Sequence, residues 1–308
     1  MKNRTVKKRV GLWIGRYGLL AAGGAWLIAN STIASAETGT NSVPEADKSH
    51  YTLFNPVPSA LLREMNTDRP DVTESPYTVD AGHYQIEMDL VNFTYDHNTA
   101  DGADTTTHAW SIAPMNLKVG LCNQADLQLV LGTFNYISTD NAGPGSHTIQ
   151  RGFGDIITRL KINFWGNDGG TTAFGVMPFA KFPTSQDQIG NNSVEGGIIF
   201  PLAIKLPGGW DMGTMAEFDF NRNGTDSNYH TEIVNSVTFD HDIVGKLAGY
   251  IEFVSIASTE ANADWTGLAD GGVTYAVTEN IQLDAGCNFG VTASAPNYQP
   301  FVGLSVRF

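Results

Sequence analysis

The sequence predicts an all-β chain that closes as a single antiparallel transmembrane β-barrel of about 12 strands, with a short N-terminal plug or periplasmic segment. Three observations predict it. From Gly82 to the end, apolar and polar residues alternate in stretches of strand length. The connections between those stretches alternate between short and long. The last dozen residues, NYQPFVGLSVRF, form an alternating strand that ends on an aromatic, Phe308. In that strand Val302, Leu304, Val306 and Phe308 share one side and Gly303, Ser305 and Arg307 the other, because strand side chains alternate with period two. A soluble sandwich could end the same way, so the terminal strand does not decide the matter alone.

The 308 residues suffice for one large all-β domain. Basic residues Lys2, Arg4, Lys7, Lys8, Arg9 and Arg16 precede an apolar run from Gly18 to Ile33 and then Ala34-Ser35-Ala36, with no acid before Glu37. A basic start, an apolar core and an A-x-A exit read as a secretory signal peptide over 1–36; an N-terminal membrane anchor is the alternative. Without that segment, 12 basic residues remain against 32 acidic ones. Such a chain repels phosphates and does not favour nucleic acid. Cys122 and Cys287 lie far apart with no Cys/His cluster, so free thiols are expected and neither a metal nor a cofactor is predicted. No stretch after residue 36 has the ~18 consecutive apolar residues of a membrane helix. An exported chain without a spanning helix leaves two classes, a soluble β protein or an outer-membrane barrel.

Residues 37–50 are polar and read as a linker. Segment 51–80 is expected to be extended, with one short helix over Pro58 to Met65, and could fold into the barrel as a plug. Pro70 and Pro76 keep its second half extended. Residues 81–308 form the barrel, with strands near 83–95, 107–121, 125–137, 153–165, 171–184, 193–206, 210–221, 229–240, 244–256, 265–277, 280–290 and 298–308.

The short connections are CNQ, GNDGG, PGG, HDI and a turn at Thr278–Glu279. The long ones are DHNTADGADT, STDNAGPGSHTIQR, SQDQIGNN, NRNGTDSN, STEANAD and TASAPN. Membrane barrels sort their connections in this way, with short periplasmic turns and long outer loops. A sandwich has no reason to.

The strand faces agree. Leu127, Leu129 and Leu131 oppose Asp126 and Gln128; Ile251 and Phe253 oppose Glu252; Leu283 and Phe289 oppose Asp284 and Asn288. In a barrel the apolar set meets lipid and the charged set lines a wet interior. The candidate lumen residues are Glu87, Asp89, Lys118, Arg159, Lys161, Lys181, Lys205, Asp211, Glu217, Asp219, Lys246, Glu252, Asp284 and Arg307. Two strands break the pattern. Val91, Phe93 and Tyr95 fall on the side of the first strand's acids, and Met177 and Phe179 share a side with Lys181; a bulge or aromatic filling of the lumen would account for them. Trp165, Trp210, Trp265, Tyr275 and Phe308 sit near strand ends, as interfacial girdles require.

TDRPDVTESPYTVDAGHYQIE (67–87), NLKVGLCNQADLQL (116–129), GFGDIITRLKINF (152–164), PFAKFPTSQD (178–187), NIQLDAGCNFGV (280–291) and the final GLSVRF occur in this order. The combination resembles the outer-membrane β-barrel family known for the "MetA-pathway of phenol degradation", over nearly all of 66–308. Ser185 departs from it, standing where the family often has glycine. The resemblance implies an outer-membrane location, a porin-like transporter and passage of small solutes, with a loose link to aromatic compounds. It also implies that Phe308 is read by the barrel assembly machinery.

A narrow channel for small solutes is therefore the expected function. The alternatives are a closed structural or loop-binding barrel, in which the lumen charges simply pair, and an outer-membrane hydrolase. No H-x-S occurs for a phospholipase, and Asp96-His97 is the one rim pair suggestive of a protease. Expected partners are outer-membrane lipid and lipopolysaccharide; the loop acids Asp96, Asp101, Asp104 and Asp140 read as solvated, with divalent cations bridging to lipopolysaccharide as the alternative and no motif-grade calcium site. Oligomeric state is not legible.

Overall fold

The structure, a computed structural model, describes residues 47–99, 104–142, 145–224 and 226–308. The expected signal peptide, most of the 37–50 linker and Asp101 lie outside the described residues. Fifteen strand segments follow in order: β1 (Tyr84–Asn98), β2 (Thr105–Ile112), β3 (Met115–Cys122), β4 (Ala125–Leu131), β5 (Phe134–Asn141), β6 (Ser146–Gly152), β7 (Ile156–Trp165), β8 (Thr172–Phe182), β9 (Glu195–Leu206), β10 (Trp210–Arg222), β11 (Tyr229–Val244), β12 (Leu247–Ser258), β13 (Thr266–Thr278), β14 (Ile281–Gly290) and β15 (Tyr298–Arg307).

They make a closed antiparallel barrel of twelve strands. Three strands are interrupted. β2 and β3 are one strand broken at Ala113-Pro114, where proline lacks the ladder N–H and Ala113 takes a φ of 52°. β4 and β5 break at Gly132-Thr133, and β6 and β7 at Phe153–Asp155. The two breaks lie side by side, with Gly154 N donating to Gly132 O at 2.7 Å. β1 therefore pairs with β3 at its periplasmic half and with β2 beyond it. β15 pairs with β1 from Gln85↔Arg307 to Tyr95↔Tyr298, which closes the ring and leaves no open edge to lipid.

Burial is inverted relative to a soluble domain. Lys161, Gln128, Glu87 and Glu217 are among the most buried large side chains, while Ile251, Phe253, Leu127 and Leu283 are exposed. A two-layer sandwich would bury the apolar rows. No helix among the described residues is long and apolar enough to cross a membrane; the strands do so. Phe253 stands at the middle of β12 on the outer face. Phe253→Arg is expected to destabilise the folded barrel by about 2–4 kcal/mol, the cost of a cation at mid-bilayer, measured by urea unfolding in lipid vesicles.

Several local expectations change. A bulge between Asp89 and Val91 inserts Leu90, which is exposed, and flips the alternation. Beyond it Asn92, Thr94 and Asp96 face inward, and Phe93 and Tyr95 face out against Trp110 and Tyr298. The expected long loop 138–151 is mostly a hairpin, because β5 and β6 pair from Asn135↔Gly152 to Asn141↔Ser146. The β11–β12 turn lies at Gly245-Lys246 rather than at 241–243, set by the positive φ of Gly245. The helix expected over 58–65 is only a 3₁₀ turn, Ser59–Leu61, with no side-chain cap and no buried residue.

Candidate functional site

The lumen is filled by the chain's own N-terminal segment. Residues 67–76, TDRPDVTESP, are buried without interruption. Their charges meet partners of opposite sign on the wall, which is what allows so polar a stretch to be enclosed.

Asp68 is the anchor on one side. Its carboxylate takes both Lys118 and Lys161, and it also accepts from Ser75 N at 3.1 Å. Lys118 turns as well to Glu87 at 2.5 Å, and Glu87 accepts from Asp68 N at 3.0 Å. Arg69 points the other way. Its Nη1 meets Asp89 at 2.5 Å, and its Nε and Nη2 form a fork on Asp284 at 3.1 and 2.7 Å. Gly303 of β15 makes room, since a Cβ there would overlap both Arg69 and Asp284. Glu74 pairs with Arg159 at 2.7 Å. Glu252 accepts from Val72 N, Thr73 N and Thr73 Oγ1 at 2.7, 2.8 and 2.5 Å. Asp126 accepts from Val79 N at 3.0 Å.

At the periplasmic end Asp80 holds Arg63 through its backbone N–H and guanidinium, both at 3.0 Å. Lys48 reaches Asp168 at 3.1 Å. Burial would raise the Asp168 carboxyl, but the Asn123 amide and the charges of Arg63 and Lys48 outweigh it and hold the group below its usual range. The chain leaves the lumen through Gly82 (φ 77°), where any Cβ would strike Pro56. Gly120 of β3 lies flat against the plug, and a Cβ there would overlap the Asp80 carbonyl. Gly120→Val is expected to push the 79–82 segment off the wall while leaving the barrel closed; faster protease cleavage near residue 80, with unchanged heat-modifiable migration on a gel, checks it.

The structure therefore brings Glu87, Asp89, Lys118, Arg159, Lys161, Glu252 and Asp284 together on the plug. Arg307 also faces in and donates to Arg63 O at 2.7 Å. Glu217 and Asp219 are buried on the inner face of β10, away from these anchors. Lys181 pairs with Glu195 near the outer end. Lys205 and Asp211 are half-buried beside a periplasmic cleft. Lys246 is not in the lumen. The later turn places it outside the strands, exposed, with Nζ donating to Val277 O at 2.9 Å.

The plug's own charges were not among the sequence candidates. Their signal was a proline-bounded stretch with acids and a base but no alternation. Met177 does face inward, with Ile199, Met215, Val254, Leu268 and plug residue Val72, so one sector of the interior is apolar. Asp96 faces in and His97 out, on the far side of the strand with Asp104 at 3.1 Å, so adjacency in sequence does not assemble a pair.

Between the plug and β9–β11 runs a cleft. Its periplasmic part has a volume of about 280 Å³ and is lined by Arg63, Met65, Tyr77, Asp168 and Lys205. A narrower part of about 40 Å³ continues past Asp211 to Asp71, Thr238 and Asp240.

An apolar exterior, a charged interior and strands closed on themselves define an outer-membrane β-barrel. The chain belongs to the family described as "Putative MetA-pathway of phenol degradation", whose profile matches residues 67–308. No curated protein is matched by its sequence. Among solved structures, the COG4313 outer membrane channel from Pseudomonas putida F1 is 11% identical, covers 78% of this chain and 99% of its own, and superposes with a TM-score of 0.57. At that identity it shows the shared fold. The NanC porin (8% identity, 72% of this chain and 98% of its own, TM-score 0.47) and the translocator domain of autotransporter NalP from Neisseria meningitidis (8%, 73% and 88%, 0.48) are also similar, but at these scores they add no argument.

Proposed function

We propose that this chain is a plugged outer-membrane channel for small solutes, admitting them through a narrow charged lumen. The observation that carries this reading is the cleft beside the plug, which is open to the periplasmic end and continues inward along β9–β11. A purely structural plug would pack against the whole wall. The solute class we infer is small aromatic or other hydrophobic compounds bearing a polar group. The family description names phenol degradation, and a cavity of about 280 Å³ with Met65 and Tyr77 beside Arg63 and Lys205 suits a single substituted ring. The residues that set selectivity are the wall charges facing the plug, and Phe308, exposed at the closing seam, is the residue we assign to recognition by the assembly machinery. We assign the protein no enzymatic activity.

One observation favours a second reading, a sealed structural barrel. The cations Arg69, Lys118, Arg159 and Lys161 are all spent on ion pairs across the lumen. Planar-bilayer recordings and liposome flux of phenol, benzoate and a disaccharide decide between them. The channel reading expects conductance steps and faster entry of the ring compounds. Absence of both, in the wild type and in a plug-loosened variant, overturns it.

A further inference from the structure

The lumen is electrically lopsided. Between Leu206 and Val306 the sequence holds only two basic residues, Arg222 and Lys246. Arg222 lies at the outer end of β10, bonded to Ser193 at 2.8 Å, and Lys246 sits in a periplasmic turn. The inner faces of β11–β13 nevertheless carry Asp240, Glu252 and Asp270, and the plug adds Asp71. Glu252 and Asp270 stand directly opposite each other across β12 and β13, and Asp240 is opposite Tyr250 across β11 and β12. Directly paired like charges repel. Every ion pair made by the plug's own charges lies elsewhere in the lumen.

A second feature is independent of the acids. The ring of Tyr250 lies across Gly272 and Gly286, where any Cβ would strike it, and this carries its hydroxyl into the field of Asp71, Glu252 and Asp270. That hydroxyl is buried, the residue being only 4% exposed, and it has no hydrogen-bond partner among the described residues. Asp270 is buried too, with the Glu252 carboxyl and the Phe289 backbone as its hydrogen-bonding neighbours. Polar atoms enclosed in this way are costly unless something else fills the space between them.

We infer that this pocket binds a hydrated monovalent inorganic cation, held by Asp71, Asp240, Glu252, Asp270 and the Tyr250 hydroxyl and reached from the periplasmic end along the cleft beside the plug. The inference rests on the channel reading for the ion's transit but not for its binding. Asp71 and Asp240 line the narrow cleft, which shares Asn66, Tyr77 and Lys205 with the wider cavity at the mouth; Glu252, Asp270 and Tyr250 adjoin it on β12 and β13 without lining it. A water needs roughly 10–15 Å³ of free cavity, so the narrow part, at about 40 Å³, has room for an ion with about two waters. Among the described residues no group of three His, Cys, Asp or Glu is spaced to hold a metal ion directly, so the carboxylates would reach the ion through its waters.

Thallium(I), a potassium mimic with a strong anomalous signal, tests the site in crystals of the full-length mature protein. An anomalous peak among these four carboxylates is expected, and it should be lost in Asp240→Asn/Asp270→Asn, a variant whose folding is checked by heat-modifiable migration. No peak in the wild type overturns the inference and leaves carboxyl groups sharing protons as the explanation. A reversal potential in a potassium chloride gradient tests transit, with potassium expected to permeate several-fold better than chloride and the preference to fall toward unity in the double variant. A chloride preference, or a potassium preference the variant does not change, overturns the assigned path. A thallium peak in a protein that never conducts keeps the binding site and overturns the channel reading instead.

Discussion

Asp68→Asn is expected to release the plug from the β3–β7 wall. Asp68 is the shared anion of Lys118 and Lys161, and all three residues are at most 4% exposed. Asparagine keeps the size and can still accept from Ser75 N, but it takes away the shared anion and leaves the two ammonium groups enclosed with Glu87 beside Lys118 and Asp126 opposite Lys161. Removing one partner of a buried ion pair costs about 3–5 kcal/mol, because the survivors are left desolvated and unmatched. That cost is borne where the plug meets the wall, since the strand ladders do not involve the Asp68 side chain. The barrel should therefore stay closed and heat-modifiable while segment 51–80 becomes open to protease, and single-channel conductance should rise. A variant whose plug is as protected as in the wild type would show that the ion pairs are not what holds it.

Arg69→Met has the second large effect. Arg69 bridges Asp89 on β1 and Asp284 on β14, on either side of closing strand β15, and lies over the Phe301 ring at 5.6 Å. Methionine fills a similar volume but strands two carboxylates, again at about 3–5 kcal/mol. The triple variant Arg69→Met/Asp89→Asn/Asp284→Asn removes the stranded charges and should regain most of the loss, since replacing a whole buried ionic group is often close to neutral. The thermal transition of plug protection, followed by pulse proteolysis, measures both. If the triple variant is no better than the single one, the loss comes from packing against Phe301 and not from charge.

The placement of the acids also explains why the two halves of the lumen behave differently. The β1–β7 half is matched charge for charge against the plug. The β10–β13 half relies on backbone donors, as at Glu252 with Val72 N and Thr73 N, and on apolar packing through Val72. A plug that loosens on its apolar and acidic side first would widen the existing cleft without breaking the anchors at Asp68 and Arg69.

The strand count, the outward row of Leu127, Ile251, Phe253 and Leu283, and the sorting of short and long connections are local properties, and local alternation carried them directly. Lys118, Arg159, Lys161 and Asp284 could be assigned to the interior because one inward neighbour fixes the next. The same rule failed where the period slipped. The Leu90 bulge moved Phe93 and Tyr95 to the lipid side, and Gly245 shifted a turn by a few residues and carried Lys246 out of the strand. What only the tertiary structure decided is which charge meets which. Asp68 with Lys161 and Arg69 with Asp284 are separated by 93 and 215 residues. The energy that selects such pairs exists only once a closed wall has taken water away from both partners, and no window of sequence contains that condition.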